Sequence, residues 1–220
     1  MEKTSDLITK LSPENDKLVR MRAAMALGES KYSSPEAIQA LLEVLKNDES
    51  SKVRENAARA LGQIGKEVSN VAVALVNSML DDKAESVRQI SAESLGELGE
   101  KAVPALLSVL RKEINVGVIE KTIETLGRIG VWAQTEEPDL VSSLITEILA
   151  VIKKNTIESL HIVAIDTILK MGKAGIQPLL HTYKTEESKD VRTVIDVILE
   201  KLAIQLGYRN RAALIRIHDF

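Results

Sequence analysis

A ten-residue segment, VRMRAAMALG from Val19 to Gly28, recurs without gaps as VRENAARALG from Val53 to Gly62 and VRQISAESLG from Val87 to Gly96. Both intervals are 34 residues. Weaker copies begin at Val118, Val163 and Val191, at intervals of 31, 45 and 28 residues. In all six an apolar residue follows the Val by eight positions: Leu27, Leu61, Leu95, Leu126, Met171 and Leu199. A chain written this way folds as one small unit stacked on its own copies.

Each copy reads as a helix. Apolar and small residues fall four, five, seven and eight positions after the Val, a stripe of period near 3.6. Alanine fills many of these places, among them Ala23, Ala24, Ala57, Ala58 and Ala60. It is the best helix former, and it lets a neighbouring helix come close. The Gly after the Leu is expected to take a left-handed conformation near the helix end. A second amphipathic stretch precedes each copy: Ile38, Leu41, Leu42 and Leu45; Val103, Leu106, Leu107 and Leu110; Ile176, Leu179 and Leu180. Pro104 and Pro178 lie near helix starts, and Ser34-Pro35 reads as an N-cap followed by the first helical residue. The unit is therefore a helical hairpin. Only 2% of the residues are aromatic, so the core is aliphatic and small-residue.

The turn inside the hairpin repeats too. An acid lies six residues before the position after the Val: Glu14, Asp48, Asp82, Glu113, Glu158 and Glu186. That position is Arg in four copies (Arg20, Arg54, Arg88 and Arg192) and Ile119 and Ala164 in the others. Asp48, Arg54, Asp82, Arg88, Glu186 and Arg192 are expected to form a structural ladder. The guanidinium fork can bridge the turn backbone or the carboxylate of a neighbouring unit.

The D-x-x-x-x-V-R turn with the A-A-x-A-L-G helix resembles HEAT repeats, specifically the short HEAT-like type of phycobilisome lyases, from about Leu7 to Leu202. The resemblance implies an all-α, right-handed α-solenoid of about six HEAT-like hairpins, with second helices on a concave face. The expected repeats cover 5–28, 34–65, 68–99, 101–130, 139–173 and 174–202 of a single domain, 1–220. Residues 130–139 are expected to form an insertion loop, with Asp139 as the next N-cap and Trp132 plugging the junction. This junction, without the Arg, is expected to exchange amide hydrogens faster over 127–141 than over 53–96. Leu7, Ile8 and Leu11 would cap one end. A C-terminal cap over 203–220, with Leu214, Ile215 and Ile217 against Leu202 and Leu206, would close the other.

The expected binding face comprises Arg22, Met25, Asn56, Arg59, Ile90, Glu93, Lys121, Glu124, Arg128, Asp166 and Leu169. Its mixed charge and scattered apolar points suit a protein or peptide partner. A formal charge of −3 and five aromatic residues argue against nucleic acid, and so against the DNA-glycosylase members of this fold. Cysteine is absent, and His161, His181 and His218 are scattered, so neither a metal site nor a cofactor is expected. The His-Glu dipeptides of the hydroxylases built on this repeat are missing. Gly62-x-x-Gly65, Gly96-x-x-Gly99 and Gly127-x-x-Gly130 follow no strand, so they are not phosphate loops. No signal-like or membrane-spanning stretch stands out, and the cytoplasm is the expected location. The sequence thus points to a non-enzymatic protein-binding scaffold or adaptor, with a bilin (tetrapyrrole) lyase or chaperone as the alternative.

Overall fold

A computed structural model describes residues 3–66, 68–112 and 115–218. Among them every regular element is helical. In order these are α1 (Thr4–Lys10), α2 (Lys17–Leu27), α3 (Pro35–Asn47), α4 (Ser51–Ile64), α5 (Ser69–Asp81), α6 (Glu85–Leu98), α7 (Val103–Lys112), α8 (Val116–Glu136), α9 (Pro138–Lys154), α10 (Glu158–Lys170), α11 (Ile176–Thr185), α12 (Lys189–Gln205) and α13 (Arg211–His218). Glu113, and Asp219 and Phe220 of the tail, fall outside the described residues. The chain resolves into two compact units, 1–105 and 106–220.

In the first unit α3 packs on α4 and α5 on α6, as hairpins. The second helices α2, α4 and α6 lie side by side in extensive contact, whereas α3 and α5 touch sparingly. The stripe residues Leu27, Val53, Leu61, Val87 and Leu95 are fully enclosed, with Leu41 and Leu75 facing them from the first helices. Ser34 accepts a hydrogen bond from the Ala37 amide and Pro35 opens α3, as the sequence predicts. Leu7 and Leu11 are buried at the N-terminal end. Val19 is not: it is 37% exposed, while Val53 and Val87 are sealed. No earlier second helix is stacked on α2 to cover it.

The second unit pairs α9 with α8 and α10, and α11 with α12. Leu126, Leu144, Ile148, Leu160, Ile168, Leu179, Ile195 and Leu199 form its core. The insertion loop expected over 130–139 is corrected. Residues 130–136 continue α8, which runs 21 residues, and Glu137 rather than Asp139 precedes the next helix, with Pro138 as its first residue. The apolar spacing never breaks: Ile129 and Ala133 are both buried on α8. At the C-terminus α13 forms and Leu214 is buried, but Ile217 and Leu206 are exposed, so the expected packing holds for only part of the cap.

The repeated glycines also need a correction. Gly62 and Gly127 lie inside helices, and Gly28 has φ −68°. A Cβ on Gly62 would sit 2.8 Å from the Ser94 Cβ, and one on Gly127 would sit 2.5 Å from the Thr167 Cγ2. These glycines are notches into which the next second helix presses. Left-handed backbone occurs instead at Gly99 and Gly172 (φ 60° and 57°), where α6 and α10 end.

Candidate functional site

The turn ladder is the best-determined polar feature. Asp48 and Asp82 are the residues that end α3 and α5. Each folds back on its own turn, accepting from the Ser50 and Ala84 amides at 2.8 Å. The free carboxylate edge then takes the guanidinium of the preceding unit. Arg20 donates to Asp48 through Nε at 2.8 Å and Nη2 at 3.1 Å, and Arg54 to Asp82 at 2.7 and 2.8 Å. The remaining nitrogen ties the Arg to its own turn: Arg20 to the Asn15 carbonyl at 2.7 Å, and Arg54 to the Asp48 carbonyl at 2.8 Å. Both guanidiniums are buried. Each side chain therefore closes one turn and grips the next. Arg88 makes the same bond to the Asp82 carbonyl at 2.8 Å.

The second unit uses other residues for these bonds. Glu186 accepts from the Ser188 amide at 2.8 Å and from Lys153 at 2.9 Å. Arg192 stays exposed, 3.5 Å from the Glu187 carbonyl. In the fifth copy Asn155 ends α9, and the His161 ring meets its carbonyl at 3.0 Å, six residues apart, as Arg54 meets Asp48. His161 therefore stands in the Arg position, and Leu160, fully buried, stands in the Val position. The contact of Gly127 with Thr167 fixes the same register, seven after Leu160, matching Ser94, seven after Val87. The anchor at Val163 and the turn acid at Glu158 are thus corrected: the copy begins three residues earlier, and Glu158 opens α10. Leu169 consequently falls at the notch position, half-buried.

Of the expected face residues in the first unit, Arg22, Met25, Arg59 and Glu93 are exposed, and Asn56 and Ile90 half-buried. Asn56 bonds back to the Lys52 carbonyl at 2.7 Å. In the second unit Glu124, Arg128 and Asp166 are exposed and Lys121 half-buried. Lys121 pairs with Glu124 at 3.3 Å and Lys170 with Asp166 at 2.6 Å. Glu55 is no part of this face. It is in fact buried between α4 and α6, accepting from Ser86 at 2.5 Å and Lys52 at 2.9 Å. The alternation of the repeat gives no sign of this, because the Ser86 partner lies 31 residues away. Among the described residues no His, Asp and Glu side chains converge as metal ligands would. No helix there is long and apolar enough to cross a membrane. A groove on the first-helix layer, between α3 and α5, is lined by Leu42, Glu43, Val73, Ala74 and Asp81 among others and gathers no catalytic set.

Burial works to raise the Asp82 carboxyl, but the bonds from Arg54 and the Ala84 amide outweigh it and hold Asp82 below the usual aspartate range. Burial opposes Glu55 likewise and is outweighed by Ser86 and Lys52, leaving Glu55 low. Groups depressed in the folded state contribute stability above the unfolded pKa values, about 3.9 for Asp and 4.3 for Glu. That stability is lost as pH falls through the folded values. Urea unfolding should therefore keep its midpoint from pH 7 to about 5 and lose it steadily below about pH 4. A midpoint that stayed level to pH 3 would remove these carboxylates from the account.

The class so defined is an all-α protein of repeated helical hairpins cross-tied through their turns. A HEAT-repeat family model matches residues 4–96, and a PBS lyase HEAT-like repeat model matches 87–112. Over residues 4–112 the chain is thus similar to HEAT repeats, of the short type that the D-x-x-x-x-V-R turns suggest. No curated protein matches the chain. Among solved structures, the chain is similar to the crystal structure of an engineered protein at 18% identity and TM-score 0.44, covering 94% of this chain and 98% of that one. A de novo designed 16-helix transmembrane nanopore is also matched at 18% identity and TM-score 0.19, over 92% of this chain and 63% of the other.

Proposed function

We propose that the chain is a non-enzymatic scaffold or adaptor that docks a protein segment across its second helices. One observation carries the reading: equivalent positions of the close-packed second helices are left facing outward at a constant repeat. Met25, Arg59 and Glu93 stand 34 residues apart on α2, α4 and α6, all exposed. The side chains of Arg22, Met25 and Glu93 enter no hydrogen bond or ion pair among the described residues. The closer packing of this layer supports its being the inner, concave side of the first unit. The charges alternate in sign and are interspersed with apolar points, which suits a polypeptide better than a polyanion. The lyase-type match is to the repeat itself, over residues 87–112 of α6 and α7, and by itself favours no tetrapyrrole. A cytoplasmic setting is part of the same proposal.

Face-specific photocrosslinking in cells tests it. A photoreactive residue at Arg59 or Glu93 should trap discrete protein partners, and one at exposed Val73 on the opposite layer should trap few. Equal yields from both layers, or none from the second helices, would refute the docking face.

A further inference from the structure

The extension of α8 changes what Trp132 can do. Resting on the scaffold reading above, we infer that Trp132 and Arg128 form an anchor for an acidic, leucine- or phenylalanine-bearing protein segment. Trp132 plugs no junction: 46% of its surface is exposed, on a helix rather than a loop. The added turns are fastened to the next repeat by the Gln134 amide, which donates to the Lys170 carbonyl at 2.9 Å. Gly130 lies against Met171, where a Cβ would stand 2.5 Å from its Cε. The ring is thus held on a rigid element beside α10 and turned outward.

A large exposed ring on a fixed helix is the type of side chain that dominates interface energetics. Arg128 sits one turn before it, on the same side of α8. Arg128 is exposed and pairs with no carboxylate among the described residues, whereas neighbouring Lys121 and Lys170 are already matched to Glu124 and Asp166. Among the described side chains the unspent charge one turn from the ring is a cation, so the complementary ligand charge is negative.

The spacing adds a second requirement. The Gly127–Thr167 contact places α10 residues level with those 40 earlier on α8. Ile162, 59% exposed, is therefore level with Thr122, about 15 Å along the axis from Trp132. About five residues of extended chain span that distance. The fitting segment carries two apolar side chains about five positions apart, with a carboxylate between them for Arg128.

Trp132 is the only tryptophan, so its fluorescence reads the site directly in the intact chain. The probe is a synthetic peptide free of Trp and Tyr, with two leucines five positions apart and aspartates between; its control carries lysines for the aspartates. The acidic peptide should shift Trp132 emission to the blue and protect it from acrylamide, and the lysine peptide should do neither. Arg128→Glu should weaken the acidic peptide at least about tenfold, and Ile162→Ser by a few fold, with circular dichroism confirming that each variant is folded. No response to the acidic peptide, or the same affinity in Arg128→Glu, would overturn the anchor. Crosslinks from Arg59 with a silent Trp132 would sink this inference alone; silence at both would sink the scaffold as well.

Discussion

Replacing Arg54 with Met is expected to destabilise the first unit by about 3–5 kcal/mol, the cost of removing one partner of a buried ion pair. The substitution strips Asp82, whose side chain is 8% exposed, of two charge-assisted bonds. It also leaves the Asp48 and Glu49 carbonyls without their shared donor. Against a domain stability of about 5–15 kcal/mol, such a loss is large, and amide exchange in α4 and α6 should accelerate accordingly. Arg54→Lys should recover only part of it, because an ammonium cannot serve a carboxylate edge and two carbonyls with one planar fork. Arg192→Met, at the same place in its repeat, should cost under about 0.5 kcal/mol. Arg192 is exposed and its single bond is 3.5 Å long. The repeated letter is the same in both places, but its surroundings differ.

Gly62→Ala is the second large effect, and its sign is opposite to what helix propensity alone gives. In an open helix the change gains about 1 kcal/mol. Here the new Cβ would lie 2.8 Å from the Ser94 Cβ and 3.0 Å from its Cα. Either α4 and α6 separate or a buried seam is strained, and overpacking of this kind costs about 1–3 kcal/mol. Gly117→Ala is the matched control. Its nearest neighbour would be the Asn115 Oδ1 at 3.5 Å, so it should stabilise α8 by up to about 1 kcal/mol. Adding Ser94→Gly to Gly62→Ala removes the nearer of the two clashing carbons and should return much of the loss. Thermal or urea unfolding distinguishes these outcomes. If Gly62→Ala stabilised the protein, the helices would not be in the close contact described.

Helix pairing, the aliphatic core and the opening of α3 at Ser34-Pro35 were legible in the sequence because they depend on local periodicity and capping. The turn acids and the Arg residues were legible as a pattern, but their partners were not. Arg54 reaches Asp82 of the next unit, 28 residues on, and spacing within one repeat cannot choose between that carboxylate and its own turn. The fifth copy misled for a physical reason. Val163 and Met171 mimic the Val and Leu anchors, but the interface selects Leu160 and Ile168, because His161 can satisfy the Asn155 carbonyl in place of an arginine. The Pro and acids of residues 130–139 suit a loop. The helix persists because Ile129 and Ala133 keep burying the same side of α8. Gly130 is tolerated there because Met171 needs the space.

The claim beneath all of this is that Arg20 and Arg54 each tie their own repeat to the following one, so that the first unit holds together through its turns as well as its core. A double-mutant cycle on Arg54 and Asp82 measures that tie, using Arg54→Met, Asp82→Asn and the pair, with stability read from urea unfolding at pH 7. Direct coupling should reach at least about 1.5 kcal/mol, within the span found for residues in one hydrogen-bonded network. Additivity within about 0.3–0.5 kcal/mol, the behaviour of independent sites, would contradict it.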